Sequence, residues 1–214
     1  DTTYIDNLLS YRDMESYVKE FQGEHEKESE IVVTIDGPSG AGKGTAADFV
    51  SRKLAVTHFS ASDVFYSIAE ERGISHVELA EKADKSVDLE VDRRTLERGL
   101  SSNCVIDSRI ASWVLGDYAD LRIHLTADLE ERARRIAKRE DVDLEEAREE
   151  TEKRDEENTE RYMDYYGVET SDLGIYHLVL DNTKLSIQAQ EEILGTVLRE
   201  RFGERVKEVE SMRE

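Results

Sequence analysis

Proline occurs once in this 214-residue chain, at Pro38, and cysteine once, at Cys104. A lone cysteine excludes a disulfide framework and a cysteine metal site, and it fits a reducing, intracellular compartment. There is no Pro/Gly-rich linker and no internal repeat. Cations are scarce beside acids: 29 Lys and Arg face 50 Asp and Glu, a formal net charge of −21. A surface of that sign repels nucleic acid and anionic membranes, so a polyanionic ligand has to be held in a local basic pocket. The acidity itself reads as solubility or adaptation to a salty cytoplasm. No apolar run approaches the length of a membrane span. His76 and His177 lack partners at metal-ligand spacing, and no Ser/His/Asp arrangement can be read from the chain. The chain begins at Asp1 rather than Met, which leaves a preceding targeting segment open.

What is present suffices for one α/β domain with a core. Hydrophobic residues make up 38% and charged residues 37%, so the chain is globular with a highly charged surface. Residues 4–21 place Ile5, Leu8, Leu9, Tyr17, Val18 and Phe21 at helical spacing, and Gln22-Gly23 ends that helix. "EHEKESE" reads as a charged connector. "IVVTID" (31–36) is a short, continuous apolar run, as expected of a buried parallel strand. Further strands are expected near 56–60, at 103–107, at 121–127 and at 175–181. Helices are expected over 43–54, 62–72, 76–83, 88–100, 128–139, 143–165 and 186–202. Strand alternating with helix predicts a parallel sheet covered on both faces, a three-layer α/β fold. The chain thus divides into a helical N-terminal extension (1–30), an α/β domain (31–202) and a charged C-terminal tail (203–214).

The densest signal is "IDGPSGAGKGT", residues 35–45, between a predicted strand and a predicted helix. Glycines let the backbone curl so that successive N–H groups point at one anion. The following helix adds its N-terminal dipole. Lys43 supplies a point charge able to reach β- and γ-phosphates. A plain tight turn accounts for one or two glycines. It does not account for Gly37, Gly40, Gly42 and Lys43 at P-loop spacing in this context. The expected phosphate cradle for ATP is therefore Gly37, Pro38, Ser39, Gly40, Ala41, Gly42, Lys43, Gly44 and Thr45. The strict pattern places Ser or Thr directly after the lysine to hold Mg²⁺, whereas Gly44 intervenes here before Thr45.

"GxxGxGKGT" resembles the loop of nucleoside monophosphate kinases, and "IDGPSGAGKGT" is most similar to that of cytidylate kinases. "VIDSRIASW", "ERARRIAKRE" and "RYMDYYGVETSDLGIY", in that order, resemble the shorter, archaeal-type cytidylate kinases. The resemblance spans about residues 31–200 and leaves the first thirty outside. It implies a P-loop NTPase fold with a five-stranded parallel sheet, a helical NMP-binding region near 61–100 and a helical lid near 139–160. In that family magnesium is held largely through water and acidic residues, so a hydroxyl directly after the lysine is dispensable. Gly44 then lets the helix start lie close to the phosphates, and Thr45 is left to hydrogen-bond a phosphate oxygen.

Phosphoryl transfer needs positioning and charge stabilisation more than covalent chemistry. Asp107 ends the third predicted strand, where a carboxylate faces the loop and can orient Mg²⁺ and its waters, as can Thr45. Arg109 follows at the carboxyl edge of the sheet, where ligands bind in such folds. The resemblance makes it a clamp on the acceptor monophosphate; the plainer reading is a surface salt bridge. Arg132, Arg135 and Arg139 share one helix face. Arg135 and Arg139 are expected at ATP, while Arg132 and Arg134 read as partners of nearby glutamates. Arg154 and Arg161 also share a face. "RDEENTER" (154–161) resembles the family's "RDxxDxxR", with Asn158 in place of the middle Asp, and in the family these arginines close over the transferring phosphate and the acceptor. "FSASDVFYSIA" departs from the family's "SAGxxFRxxA" at Ser62 and at Tyr66, which stands where an arginine grips the acceptor phosphate. Expected acceptor contacts are Ser60, Asp63, Tyr66, Arg109 and Asn158. Asp63, Asp88, Asp92 and Arg93 read as base-edge contacts or as a solvated helix face. His58 and His124 read as core-edge residues in strands, and Trp113 and the tyrosines of "YMDYY" as packing.

The resemblance implies a kinase that converts ATP and an NMP, CMP or dCMP foremost, to ADP and an NDP. It would use Mg²⁺, bind nucleotides rather than nucleic acid or membrane, and work in the cytoplasm as a monomer or weak homodimer. Two other readings stand beside it. One is a P-loop kinase with a different small-molecule acceptor, because Tyr66 and Asn158 both fall on the acceptor side. The other is a non-catalytic, nucleotide-gated assembly factor on a kinase fold, with the N-terminal helix as its partner surface. Lys43, Asp107, Arg109, Arg154 and Arg161 together argue against lost chemistry.

Overall fold

Val32–Asp36 (β1) is buried at every position, which requires cover on both faces. In the computed structural model, which describes residues 26–76, 78–79 and 85–207, that strand is the centre of the molecule. The helix expected over 4–21, part of the one over 76–83 and positions 208–214 of the tail lie outside the described residues. After β1 come Lys43–Leu54 (α1), Thr57–Ser60 (β2), Ala61–Glu71 (α2), Lys85–Ser101 (α3), Cys104–Ser108 (β3) and Ala111–Leu115 (α4). Leu121–Thr126 (β4), Leu129–Glu140 (α5), Leu144–Tyr166 (α6), Leu178–Asp181 (β5) and Ile187–Phe202 (α7) complete the series.

The five strands form one parallel sheet of order β2-β3-β1-β4-β5. Connections leave β1 toward one side of the sheet and β3 toward the other. The carboxyl ends of β1, β3 and β4 therefore border the crevice in which such sheets bind ligands. The register places Ile35 opposite Asp107, Asp36 opposite His124 and Ser60 opposite Asp107, so chemistry-bearing residues of four strands end at one edge.

Alternation along β1 sorts the core into two layers. Val33 and Ile35 pack with Phe49, Val50, Leu194 and Leu198 of α1 and α7. Val32 packs on the other face with Leu96, Leu100, Val114 and Leu115 of α3 and α4. In β4, Leu121, Ile123 and Leu125 are buried, whereas Arg122, His124 and Thr126 are half-buried, and His124 and Thr126 face the crevice. A smaller cluster of Val64, Ile68, Leu79 and Val87 fastens α2 to α3.

Helix starts are marked by side-chain caps. Asp128 accepts from Glu131 N–H, Asp143 from Glu145 N–H and Ser186 from Ala189 N–H, each satisfying a donor the helix cannot. Between α5 and α6 lies a tight reversal at Asp141, which adopts a left-handed conformation (φ 56°). The two helices return on each other as a hairpin, tied by Arg148 to Glu130 and by Arg132 to Asp155. The strand expected at 175–181 begins only at Leu178, because Ile175 and Tyr176 turn away to serve other contacts. The five-residue helix α4 lies where no helix is expected from sequence. Among the described residues no helix is long and apolar enough to cross a membrane.

Candidate active site

The glycine loop leaves β1 and enters α1 at Lys43. Gly37 is pressed against β4, where an added Cβ would stand 2.1 Å from the Leu125 carbonyl oxygen. Gly40 is left-handed (φ +78°), and a Cβ there would lie 2.8 Å from the Arg132 carbonyl oxygen. Both glycines are thus demanded by backbone packing. Gly44 is different: a Cβ there would meet nothing within 4 Å. No protein contact requires glycine at that helix start.

Cations converge on this loop. Lys43 Nζ donates to the Pro38 carbonyl at 3.0 Å, and Arg109 Nη2 donates to Ser39 Oγ at 2.7 Å. Loss of water and the nearby Arg109 charge pull the Lys43 ammonium below its ordinary value, to about 8. Burial also lowers Arg109 from its usual value. Asp107 is held at both oxygens from β2: Ser60 Oγ donates to Oδ1 at 3.3 Å, and His58 Nε2 meets Oδ2.

Arg132 does not pair with a helix-surface glutamate, as expected from spacing. It is buried, with Nε donating to Ala127 O at 3.0 Å and Nη1 to Ser39 O at 3.2 Å and to Asp155 at 2.8 Å. Its carbonyl and Cβ are what Gly40 packs against, so this side of α5 is part of the loop's scaffold. Arg135 Nη1 reaches Gly40 O at 3.2 Å and Asn182 Oδ1 at 2.9 Å. Arg134 pairs with Glu131 on the surface, as expected. Arg139, 64% exposed, pairs with Glu140 at the far end of the same helix.

A cleft of about 270 Å³ opens beside the loop. Its walls come from Gly37, Pro38 and Arg109, from His124 and Thr126 of β4, from Asp155, Asn158, Thr159 and Tyr162 of α6, and from Thr170, Ser171 and Tyr176. A half-open cleft of mixed apolar and polar lining, with Arg109 in its wall and a phosphate-type loop at its edge, suits a small phosphorylated ligand.

The comparison with known proteins agrees with that chemistry. A model of the cytidylate kinase-like family matches residues 32–184. The chain belongs to the cytidylate kinase-like family. The cytidylate kinase of Staphylothermus marinus is 39% identical over 166 residues, covering 77% of this chain and 94% of that one. That of Ignicoccus hospitalis is 40% identical over 169 residues, covering 78% and 98%. That of Halobacterium salinarum is 40% identical over 167 residues, covering 77% and 87%. Among solved structures, shikimate kinase from Bacteroides thetaiotaomicron superposes with a TM-score of 0.56 at 15% identity, covering 79% of this chain and 98% of that one. At that identity the likeness is one of fold, and it places the sheet and glycine loop in the α/β P-loop kinase architecture.

The family's expected site residues do not all gather at the cleft. Arg109 and Asn158 line it. Asn158 is buried, and its Oδ1 accepts from Arg161, which also pairs with Asp88 of α3 at 3.4 Å. Arg154 lies exposed on α6 beside Glu150. Tyr66 is 52% exposed, its ring edge-on to His76 with centroids 5.1 Å apart, and it is not a wall of the cleft. Asp63 is exposed on α2, while Ser60 is spent on Asp107. Thr45 is exposed in the first turn of α1. Asp92 and Arg93 are not a solvated face. Asp92 is buried and accepts from Tyr166 OH, and Arg93 is forked between Glu90 and Glu97.

Three contributors are not foreseen from sequence. Asp36 is fully buried at the end of β1 and accepts at Oδ2 from Ser112 N–H and from Tyr176 OH, each at 3.0 Å. Burial pushes its carboxyl up to about 7. Tyr176 in turn rests on His124, ring centroids 4.9 Å apart, to form one wall of the cleft. His58, expected as a core-edge residue, instead grips Asp107. The signal for Asp36 is present but weak: a carboxylate closing an apolar strand directly before the glycine loop.

Proposed function

We propose that this protein is an ATP-dependent nucleoside monophosphate kinase that transfers the γ-phosphoryl group of ATP to a pyrimidine monophosphate, CMP or dCMP. The observation that carries the reading is the convergence of Lys43 and Arg109 on one glycine loop that borders a cleft, in a chain about 40% identical to cytidylate kinases. The loop, Gly37 to Thr45, holds the ATP phosphates through the N–H groups of its residues other than Pro38. The clear space beside Gly44 leaves a phosphate oxygen room at the helix start. A polyanion beside Lys43 restores its charge, since an opposite charge favours the ammonium. Arg109 turns from Ser39 to the acceptor phosphate, with Asn158 on the same wall, and we assign Ser60, Asp63 and Tyr66, which lie outside the cleft walls, to the acceptor as well. Arg135, bonded to Gly40 of the loop, is assigned to ATP, and Arg139, at the exposed far end of α5, would join it only as the hairpin closes. Arg154 and Arg161 neutralise charge as the helical hairpin, the lid of about 139–160, covers the reacting groups and excludes water. No side-chain base is required, because the acceptor phosphate is already an anion at neutral pH.

The donor set fits magnesium. Among the described residues no group of three or more His, Cys, Asp or Glu forms a cage for a metal. The oxygen donors at the loop, the Asp107 carboxylate and the Thr45 hydroxyl, are of the hard kind that a cation keeping most of its waters takes. Thr45 and Asp107 would hold Mg²⁺ through water, and the ion when bound supplies neutralisation of the phosphate charge. We assign the NMP-binding region to about 61–100 and the N-terminal extension to 1–30. A monomer or weak homodimer working on free nucleotides in the cytoplasm, without nucleic acid, fits the acidity and the single, buried Cys104.

The test is direct. The purified protein with Mg-ATP is offered CMP, dCMP, UMP and AMP at low and high salt, and ADP formation is followed. CMP- or dCMP-dependent ADP release is expected. Turnover with none of the four, alongside tight ATP binding, would point to a different acceptor.

A further inference from the structure

The edge strand β2 sends two side chains to the carboxylate that ends β3. Ser60 takes one oxygen of Asp107 and His58 Nε2 takes the other. The second ring nitrogen, Nδ1, lies 2.7 Å from Asp48 Oδ1 on α1. His58 therefore bridges two carboxylates from two elements, five residues beyond the loop lysine in one case and at the Mg²⁺-side carboxylate in the other. Both partners only accept hydrogen bonds, so the arrangement is satisfied when each ring nitrogen carries its proton. A carboxylate that directs the waters of a cation has to keep one orientation, and outer partners of such carboxylates weigh heavily on metal affinity.

We propose that His58, steadied by Asp48, is a positioning residue that fixes the Asp107 carboxylate for the waters of the divalent cation at the nucleotide phosphates. The proposal rests on the kinase reading for the nucleotide half of the site and is independent of which acceptor is used. His58 touches no substrate; it acts through Asp107. The link also joins α1, which carries Lys43 at its start, to the end of β3, so loop cation and metal-side carboxylate share one brace.

Amide replacements separate this role from a structural one. In His58→Gln the side-chain nitrogen reaches about where Nε2 was and keeps the donation to Asp107. In His58→Asn it stays near Nδ1 and serves only Asp48. Mn²⁺ is titrated into the full chain saturated with ADP and followed by electron paramagnetic resonance. ADP affinity in EDTA and thermal stability are measured in parallel. Mn²⁺ affinity is expected to fall roughly tenfold in His58→Asn and His58→Ala but only about twofold in His58→Gln, as for loss of an outer-shell partner. ADP affinity without metal stays level. Asp48, 67% exposed, can be changed without risk to the core, and Asp48→Asn is expected to weaken Mn²⁺ by a smaller factor than His58→Asn. Equal Mn²⁺ affinity in parent and His58→Asn overturns the proposal, and so does a loss in His58→Gln as large as in His58→Asn. Failure of both amide variants to fold makes the residue structural and overturns it too. CMP-dependent turnover of the parent is scored separately. Its absence, with the metal effect intact, removes the acceptor assignment and leaves this one standing.

Discussion

Lys43 and Arg132 both serve the glycine loop, one through charge and one through framework. Lys43 donates one hydrogen bond, to the Pro38 carbonyl, and its burial costs its charge, so Lys43→Ala should leave stability nearly unchanged and abolish phosphoryl transfer. Wild-type-like turnover in that variant would remove the P-loop assignment. Its lowered ammonium adds a second expectation. Above pH ~8 the free protein carries Lys43 partly neutral, and bound ATP restores the proton, so binding should take up protons there. Calorimetry in buffers of different ionisation enthalpy reads this uptake, and Lys43→Arg, always charged, should bind without it. Arg132 behaves differently because it is buried and spans three partners. Arg132→Ala strands Asp155 and two carbonyls, and should cost about 3 kcal/mol in urea unfolding. Arg132→Lys should recover little of it, since an ammonium cannot reproduce the fork.

At the scale of elements, α3 and α6 meet through a buried carboxyl. Asp92 accepts from Tyr166 OH, and burial raises it from 3.8 to about 7. Between those values the folded chain keeps a proton that the unfolded chain has lost, so this group's contribution to stability falls as pH rises and is level above pH 7. Asp92→Asn keeps an acceptor for Tyr166 and cannot ionise. Its stability relative to the parent should therefore improve between pH ~5 and pH ~8 in urea unfolding; a gap that does not change with pH would show that Asp92 is not a buried acid. How far such elements are readable from sequence depends on how local their causes are. The strand–loop–helix of 31–54 is readable because apolar run, glycine spacing and lysine all lie within one short stretch. The grouping of Arg132, Arg135 and Arg139 on one face is readable too. Which of them meets the loop is not, because periodicity says nothing about which end of a helix lies near which turn. Helix α4 spans five residues, too few for a periodic signal. Tyr176 and Asp36 are 140 residues apart, His58 and Asp107 are 49 apart, and both pairs exist only because the sheet aligns strand ends.

Across the whole molecule the unusual quantity is the net charge of −21. Among the described residues burial withdraws Asp36, Asp92 and Asp107 but, of the arginines, Arg132 alone, so it offsets little of this and the exterior stays strongly acidic. Exposed pairs such as Arg134 with Glu131 and Arg154 with Glu150 offset little of this, since surface ion pairs are each worth about 0–1 kcal/mol. The balance is self-repulsion that grows as screening weakens. Raising KCl from about 0.05 M to about 1 M shortens the Debye length to about 3 Å, and the midpoint of thermal unfolding should rise. A falling midpoint would mean that screened ion pairs outweigh the repulsion. The cause can be isolated on α6, where Glu149, Glu156 and Glu160 are exposed. Changing all three to Gln removes like charges without touching the cleft walls. The variant should unfold at a higher temperature than the parent in low salt, and its midpoint should climb less steeply with KCl. Parallel curves for parent and variant would place the salt response elsewhere than in surface repulsion.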